Sequence, residues 1–222
     1  DETRMQTNCN HNVRFKKLQR VEPVLAEEWE NVILGSKTRF GPELTLGLTL
    51  NIDAPSAYTR VVVIKRAVLG VRMASFGVGE PLYSGLLRDY ARVVDLYGSA
   101  QTVPIGVLWM QGESDGGRGL GPAYEKSFQR LLGRLKTDLD RKDIAFVVGR
   151  INDSRMSDPN WTAMRKVQVK LAENTEHGEW IDTDDLSEPE HGVHFPKESY
   201  PILGSRFAQK AITLISKKSE RK

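Results

Sequence analysis

The sequence predicts an α/β fold: a three-layer α/β/α arrangement with a central parallel sheet. Two observations carry this. Short apolar runs recur along the chain, at Val61–Lys65, Ile105–Met110 and Ile144–Val148. Amphipathic helical stripes lie between and after them. Strands alternating with helices need crossover connections, and those connections favour parallel pairing. At 222 residues the chain is long enough for one large domain with a real core. It has no internal repeat, low-complexity segment or linker, so residues 1–222 are expected to form a single domain.

Taken in order, Val13–Phe15 predicts a short strand near the amino end. Val61-Val62-Val63-Ile64-Lys65 is short and β-branched, and predicts a buried strand. Leu82, Leu86, Val93 and Leu96 fit a helix from Pro81 to Tyr97. The next strand is Ile105–Met110. Tyr124, Phe128, Leu131, Leu132, Leu135 and Leu139 form an apolar stripe, with Pro122 in the first turn of its helix. Ile144–Val148 is the third strand of the sheet. Trp161, Met164, Val167, Gln168 and Leu171 make another helical stripe, started by Asp158-Pro159-Asn160. A strand over Glu179–Asp182 and a helix through Ile202, Leu203, Phe207, Ala211 and Leu214 complete the pattern. The apolar residues of these stripes read as core. The loops at the carboxyl ends of the strands are then 67–79, 111–121, 150–158 and 183–200, where open α/β sheets bind their ligands.

Composition narrows the function classes. Hydrophobic residues are 39% and charged residues 27%, within the globular range. Thirty-two basic and 29 acidic residues give a net charge of +3, too near balance to argue for nucleic acid. Part of the excess is the solvated terminal cluster Lys217, Lys218, Arg221 and Lys222. Cys9 is the single cysteine, so no intrachain disulfide forms. No apolar stretch approaches the roughly 18 residues that span a bilayer, and no signal peptide is present in this chain. Oligomeric state is not legible.

The chemistry-bearing stretch is Trp109-Met110-Gln111-Gly112-Glu113-Ser114-Asp115. It places an amide and carboxylates where a strand opens into a glycine-rich loop. An amide there can donate to a developing oxyanion, and a carboxylate can orient a base. The loop before the last helix holds His191-Gly192-Val193-His194-Phe195, two of only four histidines. An imidazole in that position can reach across the sheet edge and act near neutral pH. A zinc site on His191 and His194 would need further ligands, and Asp184, Asp185, Glu188 and Glu190 show no zinc-site spacing. Gly116-Gly117-Arg118-Gly119-Leu120-Gly121 lacks the ending of a phosphate loop and the dinucleotide spacing, so it reads as a flexible rim of the cleft. No metal or cofactor is therefore expected. Asp182, Asp184 and Asp185 read as capping or solvating the turn after the last strand. Trp29, Trp161 and Trp180 read as packing.

The Trp109–Asp115 segment resembles the signature of SGNH-type carbohydrate esterases, the sialate O-acetylesterase and acetylxylan esterase (carbohydrate esterase family six) relatives. Phe40-Gly41-Pro42-Glu43-Leu44 resembles the segment before their second strand. Val63-Ile64-Lys65 with Ala67-Val68-Leu69-Gly70 resembles their second block. Gly192-Val193-His194-Phe195 with Leu203-Gly204-Ser205-Arg206-Phe207-Ala208 resembles their last block. The resemblance runs from Phe40 to the end of the chain. It implies an SGNH-hydrolase-like, flavodoxin-like fold and acyl transfer from an acetylated carbohydrate. It also implies a periplasmic or secreted setting. By the resemblance, His194 is the base, Glu113 its acid partner and Gln111 an oxyanion donor.

Three positions depart from the family pattern. The nucleophile motif Gly-Gln-Ser-Asn-Met is replaced by Met5-Gln6-Thr7-Asn8-Cys9, which puts Thr7 at the serine position, without the apolar strand that should precede it. The alternatives are a nucleophile upstream of Asp1 or none. The consecutive glycines of the second block read Leu69-Gly70. The aspartate that many relatives carry three residues before the histidine is His191. Two functions follow: an acetylesterase, or a catalytically impaired relative that binds glycan or a partner through the same cleft.

Overall fold

The computed structural model describes residues 41–53, 61–188 and 191–219. Val13–Phe15, Thr7, Cys9 and Trp29 lie outside the described residues. Within them, three strands form one parallel sheet in the order β1-β2-β3: β1 Gly106–Trp109, β2 Ala145–Gly149 and β3 Gly178–Ile181. Leu108 pairs with Val147, which pairs with Glu179. The helices are α1 Glu43–Asp53, α2 Pro81–Tyr97, α3 Glu113–Gly116, α4 Gly121–Asp138, α5 Pro159–Glu173 and α6 Tyr200–Ser219.

The alternation of β2 builds the layers. Every residue of this strand is buried, as expected of a parallel strand covered on both faces. Phe146 and Val148 point into one core with Tyr83 of α2, Tyr124 and Phe128 of α4, and Trp161 and Met164 of α5. Ala145 and Val147 point into the other, with Leu46 and Leu50 of α1 and Leu203 and Phe207 of α6. Helices thus cover both faces, giving the α/β/α arrangement. The starts follow from local chemistry. Asp158 caps α5 by accepting from Asn160 N at 2.8 Å. Proline stands in the first turn of α2, α4 and α5, where a missing N–H costs nothing. No helix among the described residues is long and apolar enough to cross a membrane.

Two elements differ from the sequence expectation. Val61–Lys65 joins no sheet ladder among the described residues. A β-branched run signals a fit to a half-buried surface, not pairing itself. This run finds its surface through side chains. Val61 and Val63 pack into the second core, Lys65 bonds Glu43 at 2.7 Å, and Arg66 Nε donates to the buried carboxylate of Asp89 at 2.6 Å. The second difference is α1, which the sequence reading left without a helix. Its threonines and glycine are weak helix formers. Tertiary contacts supply what propensity lacks: Leu46 and Leu50 enter the core, and Thr45 Oγ1 donates to Pro201 O at 2.7 Å.

Candidate active site

The carboxyl ends of β1 and β2 and the loop after β3 converge on the predicted residues. Gln111 follows β1 and is buried, 8% exposed. Its Nε2 donates to Asp115 Oδ2 at 2.7 Å and to Val71 O at 3.2 Å. Both partners are acceptors, so the NH2 end of the amide must face them, and both of its hydrogens are engaged. Gln111 Oε1 is buried without a donor. Asp115, 4% exposed, also accepts from Met73 N at 2.9 Å. Gln111 and Asp115 together therefore hold the 67–79 loop against the end of β1. In that loop Gly70 takes a φ of 70°, and Leu69 beside it is 83% exposed.

The main chain of Gln111 is held as tightly as its side chain. Its carbonyl accepts from Tyr124 Oη and from Gln168 Nε2, each at 2.9 Å. Gln168 Oε1 in turn accepts from Ile151 N at 2.9 Å. One buried amide thereby ties the end of β1 to the end of β2. Gly112 lets this amide approach: its φ is 154°, and a Cβ there would sit 2.6 Å from Gln168 Nε2.

Glu113 opens α3 and is half-buried. Burial pushes its carboxyl pKa up. The backbone N–H groups of Glu113 and Gly112 and the charge of His194 pull it back, while the Asp115 carboxylate adds to the rise. His194 lies in the exposed loop before α6, its N–H donating to His191 O at 3.0 Å. Glu113 and His194 interact through charge, without a direct hydrogen bond between them. Catalytic hydrogen bonds are often long in unliganded sites and tighten around substrate. His191 is exposed, with Nε2 3.6 Å from Glu188 Oε2.

The upward shift of Glu113 has a consequence for stability. Between the ordinary glutamate value of 4.5 and the raised one, the folded chain binds more protons than the unfolded chain. Stability from this group is thus fully present below 4.5 and is lost as pH rises through the folded value. Stability from this group is therefore lower at neutral pH than below 4.5. Glu113→Gln is expected to raise Tm at pH 7 by roughly 2–4 °C, equivalent to about 1 kcal/mol at this chain length, while acetyl-ester turnover falls. Thermal melts of both proteins across pH 4–8 check it; a lower Tm for the variant at pH 7 contradicts it.

The arginines around the site were not legible as partners in the sequence. The three aspartates after β3, expected to cap or solvate a turn, also pair with them, and Asp182 does cap the turn by accepting from Asp184 N at 3.1 Å. Arg150 Nη2 bonds Asp182 at 2.5 Å and Asp184 at 2.8 Å, and Arg206 bonds Asp185 at 2.6 Å. Arg165, itself buried, bonds Asp184 at 2.7 Å and Ile151 O at 2.6 Å. Trp161 is fully buried, and Trp180 lies under the Arg150 guanidinium at 4.9 Å. Among the described residues no cluster of three or more His, Cys, Asp or Glu could hold a metal ion. Thr7 lies outside the described residues, so Gln111, Glu113 and His194 are the predicted residues that share this edge.

A family model described as carbohydrate esterase, sialic acid-specific acetylesterase, matches residues 5–213. No curated protein matches the chain. Among solved structures, a protein from Arabidopsis thaliana is similar with a TM-score of 0.71 at 18% identity, over 88% of this chain and 81% of that one. A carbohydrate acetylesterase from Xanthomonas citri is similar with a TM-score of 0.68 at 15% identity, over 91% of this chain. The chain spans about half of the Xanthomonas protein, 50% of its length. At these identities the two structures speak to the fold.

Proposed function

The chain belongs to the sialic acid-specific acetylesterase family of carbohydrate esterases, and we propose that it removes O-acetyl groups from sugars by acyl transfer, in a single domain. What supports this reading is the family match over residues 5–213, with Glu113 at the end of β1 and His194 in the loop before α6. His194 is the general base and Glu113 orients it. Thr7 Oγ1 attacks the acetyl carbonyl while His194 takes the hydroxyl proton. The tetrahedral oxyanion collapses, the sugar oxygen leaves with the proton from His194, and an acetyl-threonine ester remains. Water then attacks that ester, again through His194, and acetate departs.

Gln111 serves the oxyanion by exchange. Its amide hydrogens are both engaged, so donation to substrate requires giving up one partner. The longer bond, 3.2 Å to Val71 O, is the one exchanged. The bond to Asp115 then keeps the amide aimed.

The test is acetate release from O-acetylated sugars by the purified chain, with Thr7→Ala beside the parent. Thr7→Ala is expected to lower kcat by about 100-fold or more, the scale on which removal of a covalent nucleophile is felt. Unchanged turnover with His194 still required removes Thr7 from the mechanism. One feature favours a second reading, binding through the same cleft without turnover: exposed Leu69 stands where relatives place a glycine. Saturable binding of an acetylated glycan with no acetate released selects that reading.

A further inference from the structure

We propose that Asn152 is a positioning residue for His194, an inference that rests on the reading of His194 as the base. Asn152 lies three residues past the end of β2 and is 1% exposed. Its Nδ2 donates to Gly192 O at 3.1 Å, two residues before His194. The orientation of this amide is fixed by its other end. Asn152 Oδ1 accepts from Ser154 N at 3.3 Å and from Ser154 Oγ at 2.7 Å, and a backbone N–H can only donate. The NH2 end must therefore face Gly192.

The residue that holds Gly192 is itself held. Trp161 Nε1 donates to Asn152 O at 2.7 Å, and Arg165 Nη1 donates to the preceding carbonyl, Ile151 O, at 2.6 Å. Both side chains come from α5 and both are buried. A rigid helix thus fixes the Asn152 backbone, and its amide carries that fixity to an otherwise exposed loop. Gly192 has a φ of 58°, and the turn it enters closes by His194 N donating to His191 O at 3.0 Å. A loose turn at this point swings the imidazole, because among the described residues the His194 side chain has no hydrogen-bond anchor, only its charge interaction with Glu113. Misplacement of a base by about 1 Å is enough to cost a large part of its rate contribution.

The experiment uses the full chain with Asn152→Asp and Asn152→Ala. Aspartate keeps the acceptor for Ser154, loses the donor to Gly192 and adds a buried charge, whereas alanine removes both ends of the amide without a charge, so a change shared by the two folded variants is assigned to the Gly192 bond. Amide hydrogen exchange is followed residue by residue, alongside kcat and KM for acetyl-ester hydrolysis. The expected result is exchange about tenfold faster at His194 with α2 and α4 unchanged. With it goes a kcat about tenfold lower, and KM within about threefold of the parent. Unchanged exchange at His194 overturns the proposal, and so does an unchanged kcat in a protein whose activity requires His194. Should His194→Ala itself keep full activity, the reading of His194 as the base falls, and the exchange data alone decide whether Asn152 fixes the loop.

Discussion

Replacing His194 by alanine is expected to lower kcat for p-nitrophenyl acetate by about 1,000-fold, near 4 kcal/mol of barrier, with KM within about threefold. The split follows from the geometry. His194 is exposed, and in the proposed mechanism it moves a proton, so its loss would remove an interaction made in the transition state and leave ground-state contacts in place. His191→Ala is the internal control. That side chain is also exposed and faces Glu188, so its removal is expected to change kcat by less than about threefold. More than a tenth of parental activity in His194→Ala removes it as the base. A His191→Ala protein as inactive as His194→Ala moves the role to the wrong imidazole.

Gly112→Ala is expected to destabilise the fold by about 2–4 kcal/mol and to depress activity with it. Two costs add. The backbone sits at φ 154°, which a side chain rarely adopts. The new Cβ also meets Gln168 Nε2 at 2.6 Å and Ile151 Cγ2 at 3.1 Å. Gln168 cannot move away without releasing both Gln111 O and Ile151 N, the link between two strand ends. Gly70→Ala separates the two costs, since its φ is also positive but nothing lies within 4 Å of the added Cβ. It should lose only the backbone part, about 1 kcal/mol. Urea unfolding of both variants measures the difference. A Gly112→Ala midpoint equal to that of Gly70→Ala shows that Gln168 yields freely.

The elements with clear periods were legible in the sequence. Pro81–Tyr97 is a helix over the bounds its stripe predicts, the apolar run at 105–110 contains β1, and the run at 144–148 covers β2 except Gly149. What escaped had no periodic signature. α1 owes its helix to α6, and Val61–Lys65 has strand composition without a ladder. At the site, Gln111, Glu113 and His194 stood out because a distinctive spacing carried them. Asn152, Arg165 and Asp184 did not, because they act through partners far along the chain. Gln168 was placed on the inward stripe of its helix, but a stripe says which way a side chain points and not what it grips.

One face of α5 deserves to be followed outward from the chemistry. Trp161, Arg165 and Gln168 together fasten both strand ends and, through Asp184, the segment after β3. A single helix thus sets how the ends of β1 and β2 and the segment after β3 are held relative to one another. Val68, Leu69, Val78 and Met156, by contrast, are exposed. Substitutions at exposed Leu69 or Val78 are therefore expected to leave that frame in place.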